Sequence, residues 1–318
     1  MSENEPKAFA WAIDLPKQED TNKTKGLNKD TIEPSLLRTL QKSGINTNEV
    51  IDVAGDGSTS GYFFVATKTD VYTVYEGTAT KVTGVTGEVT AVTGDGSSSN
   101  YFLIGTTDGA YTMLSNSTSA TKVTGVTGEV TAVTGNGSNY FLIGTTDGAY
   151  TMLSNATSAT KVTGVTGDVT AVTGSGSSSN YLLIGTTDGA YTMLSNSTSA
   201  TKVTVVTGEV TAVTGSGDNY FLIGTTDGAY TMRSTATSAT KVTVVTGDVT
   251  AVTGSGSSSN YFLIGTTDGA FLGVFSILFE GITGVTGEVT AVTWDGSNSN
   301  YFIIGTTDGA YIMRPTAT

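Results

Sequence analysis

One segment of 39 to 41 residues is written seven times along this chain, and that repetition constrains the fold more than any single motif. The stretch from Gly87 to Thr127, GEVTAVTGDGSSSNYFLIGTTDGAYTMLSNSTSATKVTGVT, recurs almost unchanged from Gly128, Gly167, Gly208, Gly247 and Gly287. A diverged first copy starts near Glu49, and the last copy stops at Thr318 before an equivalent of 120–127. A period of this size marks a solenoid, a propeller or an array, in which each unit buries its faces on its neighbours.

Each copy divides into four short runs, which in the second copy are 88–93, 101–107, 110–114 and 120–127. The runs are rich in Val, Thr, Tyr, Ile and Phe, and Gly, Ser, Asn and Asp-Gly separate them, which is the strand and turn signature. Nine of the 41 residues in this copy are Thr, a β-branched type that suits pleated strands. Asp108-Gly109 between two apolar runs predicts a tight hairpin with a type I′ turn. Tyr101, Phe102, Leu103 and Ile104 are apolar at consecutive positions, so both faces of that strand need cover. Four-stranded units stacked face to face predict an all-β, seven-bladed β-propeller of four-stranded antiparallel blades. Strand composition excludes the helical solenoids of similar period.

The pattern Val89-Thr-Ala-Val92, Tyr101-Phe-Leu-Ile-Gly105-Thr106, then Asp108-Gly109-Ala-Tyr111 resembles the propeller repeat of two-component-regulator sensor proteins. The likeness covers residues 49–318, with Tyr101 and its equivalents in place of the family's usual Trp, and the transmembrane and kinase parts are absent. The resemblance implies a sensing or ligand-binding propeller and carries over no catalytic residue.

Because the last copy lacks its fourth run, an N-terminal strand is expected to complete the last blade. Residues 40–47 align with 120–127, Lys42 matching Lys122, and are read as that outer strand; a short helix over 35–42 is the competing reading. Residues 1–39 then form an arm and 40–318 the propeller. Within the arm, Ala8-Phe9-Ala10-Trp11-Ala12-Ile13 reads as a strand covering a blade of its own chain, or as a segment that docks on a second copy. The first residues lack the basic start and apolar centre of a secretory signal, so a cytoplasmic location is expected. The longest apolar run, 271–279, is about half of what a membrane-spanning helix needs, so no transmembrane segment is expected.

Composition narrows the chemistry. The chain has no Cys and no His, which excludes disulfides, zinc fingers, Cys nucleophiles and a Ser-His-Asp triad. Its charge of −13 lacks the basic footprint of a nucleic-acid binder. Residues 1–48 hold seven acids and seven bases, so the whole net charge lies in the repeats. Most of those acids fall at two positions: the start of the first run (Glu49, Glu88, Glu129, Asp168, Glu209, Asp248, Glu288) and the turn after the second (Asp108, Asp147, Asp188, Asp227, Asp268, Asp308). Both positions sit at the same end of a meander, which predicts one acidic face. The lysines at 81, 122, 161, 202 and 241 are expected at the other. Converging carboxylates make calcium the ion such a face would take, although no copy has the spacing of a calcium loop, and one acid per turn also serves solubility and turn geometry. No cofactor is expected. Loops such as 94–100 have the glycines of a phosphate cradle but neither the following helix nor the Lys-Ser/Thr.

The sixth copy breaks the pattern. Where the others read as a polar loop and a lysine, it carries Phe271, Leu272, Val274, Phe275, Ile277, Leu278 and Phe279. These residues are either covered by the chain's own packing, as a compensated reading-frame slip would leave them, or form an interaction patch; with Phe9 and Trp11 they are the candidates for self-association. Identical acid positions in every copy argue against a unique catalytic constellation. The expected function is a non-catalytic binding or scaffold propeller for an unknown protein or glycan ligand, with repeated surfaces suited to multivalent recognition. A lectin-like, glycan-binding propeller is the first alternative and a propeller hydrolase or lyase the second.

Overall fold

A computed structural model of the protein describes residues 10–13, 45, 50–55, 61–96, 99–175, 180–215, 219–254, 261–274, 278–294 and 301–314. These residues contain strands and turns and no helix, so among them no helix is long and apolar enough to cross a membrane. The strands pair into seven four-stranded antiparallel sheets, six of them meanders of consecutive strands. The second sheet shows the pattern: Val89–Gly94, Tyr101–Thr106, Gly109–Leu114 and Thr121–Lys122. By internal contacts the chain falls into two compact units, residues 21–174 with 193–201, and residues 1–20, 175–192 and 202–318.

Within each unit the core lies between successive sheets. Phe64, Ala66 and Val71 of the first sheet share a cluster with Val89, Phe102, Ile104, Tyr111 and Met113 of the second. In the other unit, Leu222 and Ala229 of the fifth sheet pack with Val249, Phe262, Ile264 and Phe279 of the sixth. Each buried Phe or Leu of this kind contributes about 1.5–3 kcal/mol. A glycine in the second strand sets how closely the sheets approach. A Cβ on Gly105 would lie 2.5 Å from the Val130 side chain of the next sheet, and one on Gly224 2.3 Å from Val249. The first strand carries a bulge at its second residue, and there Thr131 Oγ1 donates to Val169 O, and Thr211 Oγ1 to Val249 O, both at 2.6 Å.

Three local expectations are corrected. Thr106 is paired with Gly109, and at Asp108 φ is not positive; only Gly109, at +121°, is, so the turn is not type I′. The threonine hydroxyl holds it instead, accepting from Asp108 N at 3.1 Å and donating to Gly109 O at 2.9 Å. The fourth strand is also shorter than expected, two residues in the second sheet. Beyond it the chain crosses to the next copy, where Thr124 N donates to Thr157 O and Ala159 N to Thr124 O, each at 2.9 Å.

The third correction concerns the last sheet. Its outer strand is Ala10–Ile13, antiparallel to Gly309–Met313, with Ala10 opposite Met313 and Ile13 opposite Ala310. An N-terminal strand therefore does complete that sheet, but it is not 40–47, which apart from Ile45 lies outside the described residues. The alignment of Lys42 with Lys122 carried no information on pairing, whereas Ala-Trp-Ala-Ile has the β-forming, apolar character that an outer strand needs.

Candidate functional site

At the turn end of the second to fifth sheets, carboxylate, hydroxyl, phenol and amine groups lie close together. Where the second copy meets the third, Thr127 Oγ1 donates to Asp147 and lies 2.6 Å from Tyr150 OH, which donates to Asp147 Oδ2 at 3.3 Å. Lys161 Nζ is 3.2 Å from the same carboxylate oxygen and 5.8 Å from the Tyr150 ring centroid. The hydrogen bond from Thr127, followed by that from Lys161, holds the Asp147 carboxyl below its ordinary value. The Thr–Tyr contact recurs as Thr86–Tyr111, Thr207–Tyr230 and Thr286–Tyr311, and the Lys–Tyr contact at Lys122, Lys202 and Lys241.

The two acidic sets do share this end. Glu88, Glu129, Glu209, Asp248 and Glu288 donate backbone N–H to the turn threonines Thr107, Thr146, Thr226, Thr267 and Thr307. Asp108, Asp147, Asp188, Asp227, Asp268 and Asp308 follow the threonine that accepts from their own N–H. Asp168 stands at the same position of its copy, and Glu49 lies outside the described residues. The lysines, however, are not at the opposite end. Lys122 pairs across from Tyr111, three residues from the turn Asp, and Lys81 Nζ reaches Asp70 at 2.5 Å. The fourth strand runs back toward the turn, and the long lysine side chain covers the remaining distance. Among the described residues no three acids come together in a way that could hold a metal ion.

The other end of each hairpin pairs a tyrosine with a variable residue. Tyr101 lies opposite Leu114 and Tyr140 opposite Leu153. Leu114, Leu153 and Leu194 are 41%, 46% and 42% exposed. In the first copy the position is Tyr75, stacked on Tyr62 at 4.3 Å; in the fifth it is Arg233, whose guanidinium lies 5.0 Å from the Tyr220 ring centroid. Sequence reasoning assigned these tyrosines to packing and missed the pairs. Aligning the copies at the residue after Met113 and its equivalents reads Leu, Leu, Leu, Arg in the second to fifth copies and Arg again in the seventh, where Arg314 lies 5.6 Å from the Tyr301 ring centroid, and that was the available signal.

Two grooves lie beside the exceptional positions. One of about 290 Å³ is lined by Tyr62, Tyr75, Thr73, Thr80, Asn116 and Ser117, among others. The second, about 550 Å³, lies against the third and fourth strands of the fifth sheet and is closed on one side by Phe279. There the crossing to the next copy is missing: among the described residues no bridge joins Thr243 to the sixth sheet, and Val245 N instead turns back on Val242 O at 3.4 Å.

Part of the sixth-copy segment packs into the core. Gly273 takes the place of Met113 and Phe279 that of Ala120, and the two face each other in register. A Cβ on Gly273 would lie 2.2 Å from the Phe279 ring, so the phenyl fills the space that Met leaves. Phe279 and Leu272 are buried and Phe271 is half-buried. Leu278 lies in the fourth strand and Trp11 in the strand 10–13, while Phe275 and Phe9 are outside the described residues. Leu272 and Phe279 are thus covered by the chain's own sheets.

The fold thus belongs to the class of repeated four-stranded antiparallel sheets. No family model and no curated protein matches the chain. Among solved structures it is similar to the crystal structure of the computationally designed Ika8 protein (crystal packing No. 1 in P63), with 15% identity and a TM-score of 0.53 over 84% of this chain and 96% of that one. At that identity the likeness concerns the fold.

Proposed function

We propose that this protein is a non-catalytic binding or scaffold module, a closed seven-bladed propeller of the sensing type, that presents one surface element repeatedly. The observation that supports this best is the tyrosine–leucine pair at the end of the hairpins, at the same register with leucines exposed alike. Scattered exposed leucines are ordinary, but one position exposed in copy after copy supplies weak sites whose linkage multiplies affinity. The turn-end clusters support a structural role for the acids, since lysine supplies the positive charge beside Asp70 and Asp147.

A glycan is the ligand class favoured by one particular feature, the Tyr62–Tyr75 stack beside a groove lined by threonine, serine and asparagine. A glycan array, read with and without calcium, tests the proposal. Binding is expected to fall more than proportionally as Leu114→Ser, Leu153→Ser and Leu194→Ser are combined, and Tyr75→Ala is expected to reduce it if sugars stack there. Cleavage of an arrayed glycan, or binding indifferent to all three leucines, would overturn the reading. A large calcium-dependent rise in Tm would return the acidic turns to the centre of the account.

A further inference from the structure

We propose that the groove beside the fifth sheet is a binding site for a small amphiphilic anion, a carboxylate or sulfonate head on an apolar body. This goes beyond the repeated surface, because it is a single asymmetric site. Three departures from the regular copies coincide only there: Arg233 replaces leucine, as Arg314 also does in the seventh copy, Phe279 replaces alanine, and among the described residues no bridge joins Thr243 to the sixth sheet. The groove, about 550 Å³, falls in the range of small-molecule sites. Its charged lining residues are both cationic, Arg233 and Lys241, although the chain carries −13.

The apolar wall comes from Met232, Val242 and Phe279, all buried, so their shape is fixed by the core. Arg233 is stacked over Tyr220, which orients the guanidinium plane and suits its N–H edge to the two oxygens of a carboxylate or sulfonate. An apolar body against Phe279 with its anion at Arg233 satisfies both halves of the lining. The first-copy groove has Glu76 in its lining and no lysine or arginine, so it does not share this preference.

Fluorescence titration of the full chain with anilinonaphthalene sulfonate tests the site. One saturable site per chain is expected, weakened by added salt. Arg233→Leu, which installs the residue of the second, third and fourth copies, should weaken binding about tenfold while Tm is retained. Uncharged phenylnaphthylamine should bind equally to both proteins. Arg233→Gln serves in the same way if the leucine variant does not fold. Undiminished sulfonate affinity in the variant, or several equivalent weak sites, overturns the proposal.

Discussion

The joint between the second and third sheets and that between the fifth and sixth are built from nearly the same sequence and close differently at their outer edge. The inner contact is the same in both, with Gly105 under Val130 in one and Gly224 under Val249 in the other. At the outer edge, the first joint is strapped by Thr124, which exchanges backbone hydrogen bonds with Thr157 and Ala159. A Cβ on Gly125 would lie 2.6 Å from Ala159 O, so glycine at φ +86° suits the strap, although the equivalent strap at Thr204 forms with Val205 after it at φ +79°. Among the described residues the second joint shows no such strap, and Phe279 packs with Val242 and Val245 of the preceding copy. The fold therefore tolerates loss of the edge hydrogen bonds when apolar volume replaces them, and burial is what joins the sheets.

The strongest way to break the comparison is Phe279→Ala. With Gly273 opposite, nothing would fill the vacated space, and a loss of about 3–5 kcal/mol is expected by urea unfolding. Gly224→Ala attacks the feature that both joints share; with a Cβ 2.3 Å from Val249, a cost of about 1–3 kcal/mol is expected, and Gly105→Ala should match it. If either glycine variant is neutral, the inner contact is not what sets the spacing. Transplanting the sixth-copy pair into the second sheet as Met113→Gly with Ala120→Phe sharpens the point: each single change should destabilise, and the double mutant should recover part of the loss through a coupling of about 0.5–3 kcal/mol. A smaller effect of opposite sign is expected at Val205, a β-branched residue held at φ +79° where the earlier copies have glycine. Val205→Gly should stabilise by about 1 kcal/mol, read as a rise in Tm, because the left-handed strain disappears.

The smallest effect concerns Asp52, which stands where the regular copies have alanine and accepts from Val53 N at 2.8 Å and Val92 N at 2.9 Å. Burial raises its pKa, more than those two backbone bonds lower it. The protonated form is thus favoured by folding: its contribution is fully present below the unfolded-state pKa and is lost as pH rises through the folded value. Asp52→Ala should flatten the dependence of the urea midpoint on pH just above the ordinary carboxylate range. The carboxyl of exposed Asp147 shifts the other way, and Lys161→Ala should move its titration upward without a measurable change in Tm.

The sheets were legible in the sequence because period-two pairing, turn residues and two-sided apolar runs are all local signals. Phe102, Leu103 and Ile104 are each fully buried, as a strand covered on both faces demands. What escaped was set by register and reach. The partner of the last sheet was sought by aligning 40–47 to a repeat, whereas pairing selected 10–13. The lysines were assigned to the wrong end because a sequence shows where a Cα sits along a strand and not where a long side chain ends. The sequence left the sixth-copy segment as either self-covered or an interaction patch, and the fit of Phe279 opposite Gly273 is a relation that only strand pairing reveals. The arginine over Tyr220 needed no structure, only a comparison of the copies at one column.

The glycine of the second strand and the valine that opens the following copy form a plug and socket, and every regular repeat carries both halves. Such units are interchangeable in order, so a regular copy can be duplicated, removed or moved without creating an ill-fitting joint. The first copy, with Ala66 at the socket position, and the seventh, where a Cβ on Gly305 would meet only its own sheet, are the departures, and the chain's tolerance of rearrangement should be poorest beside them.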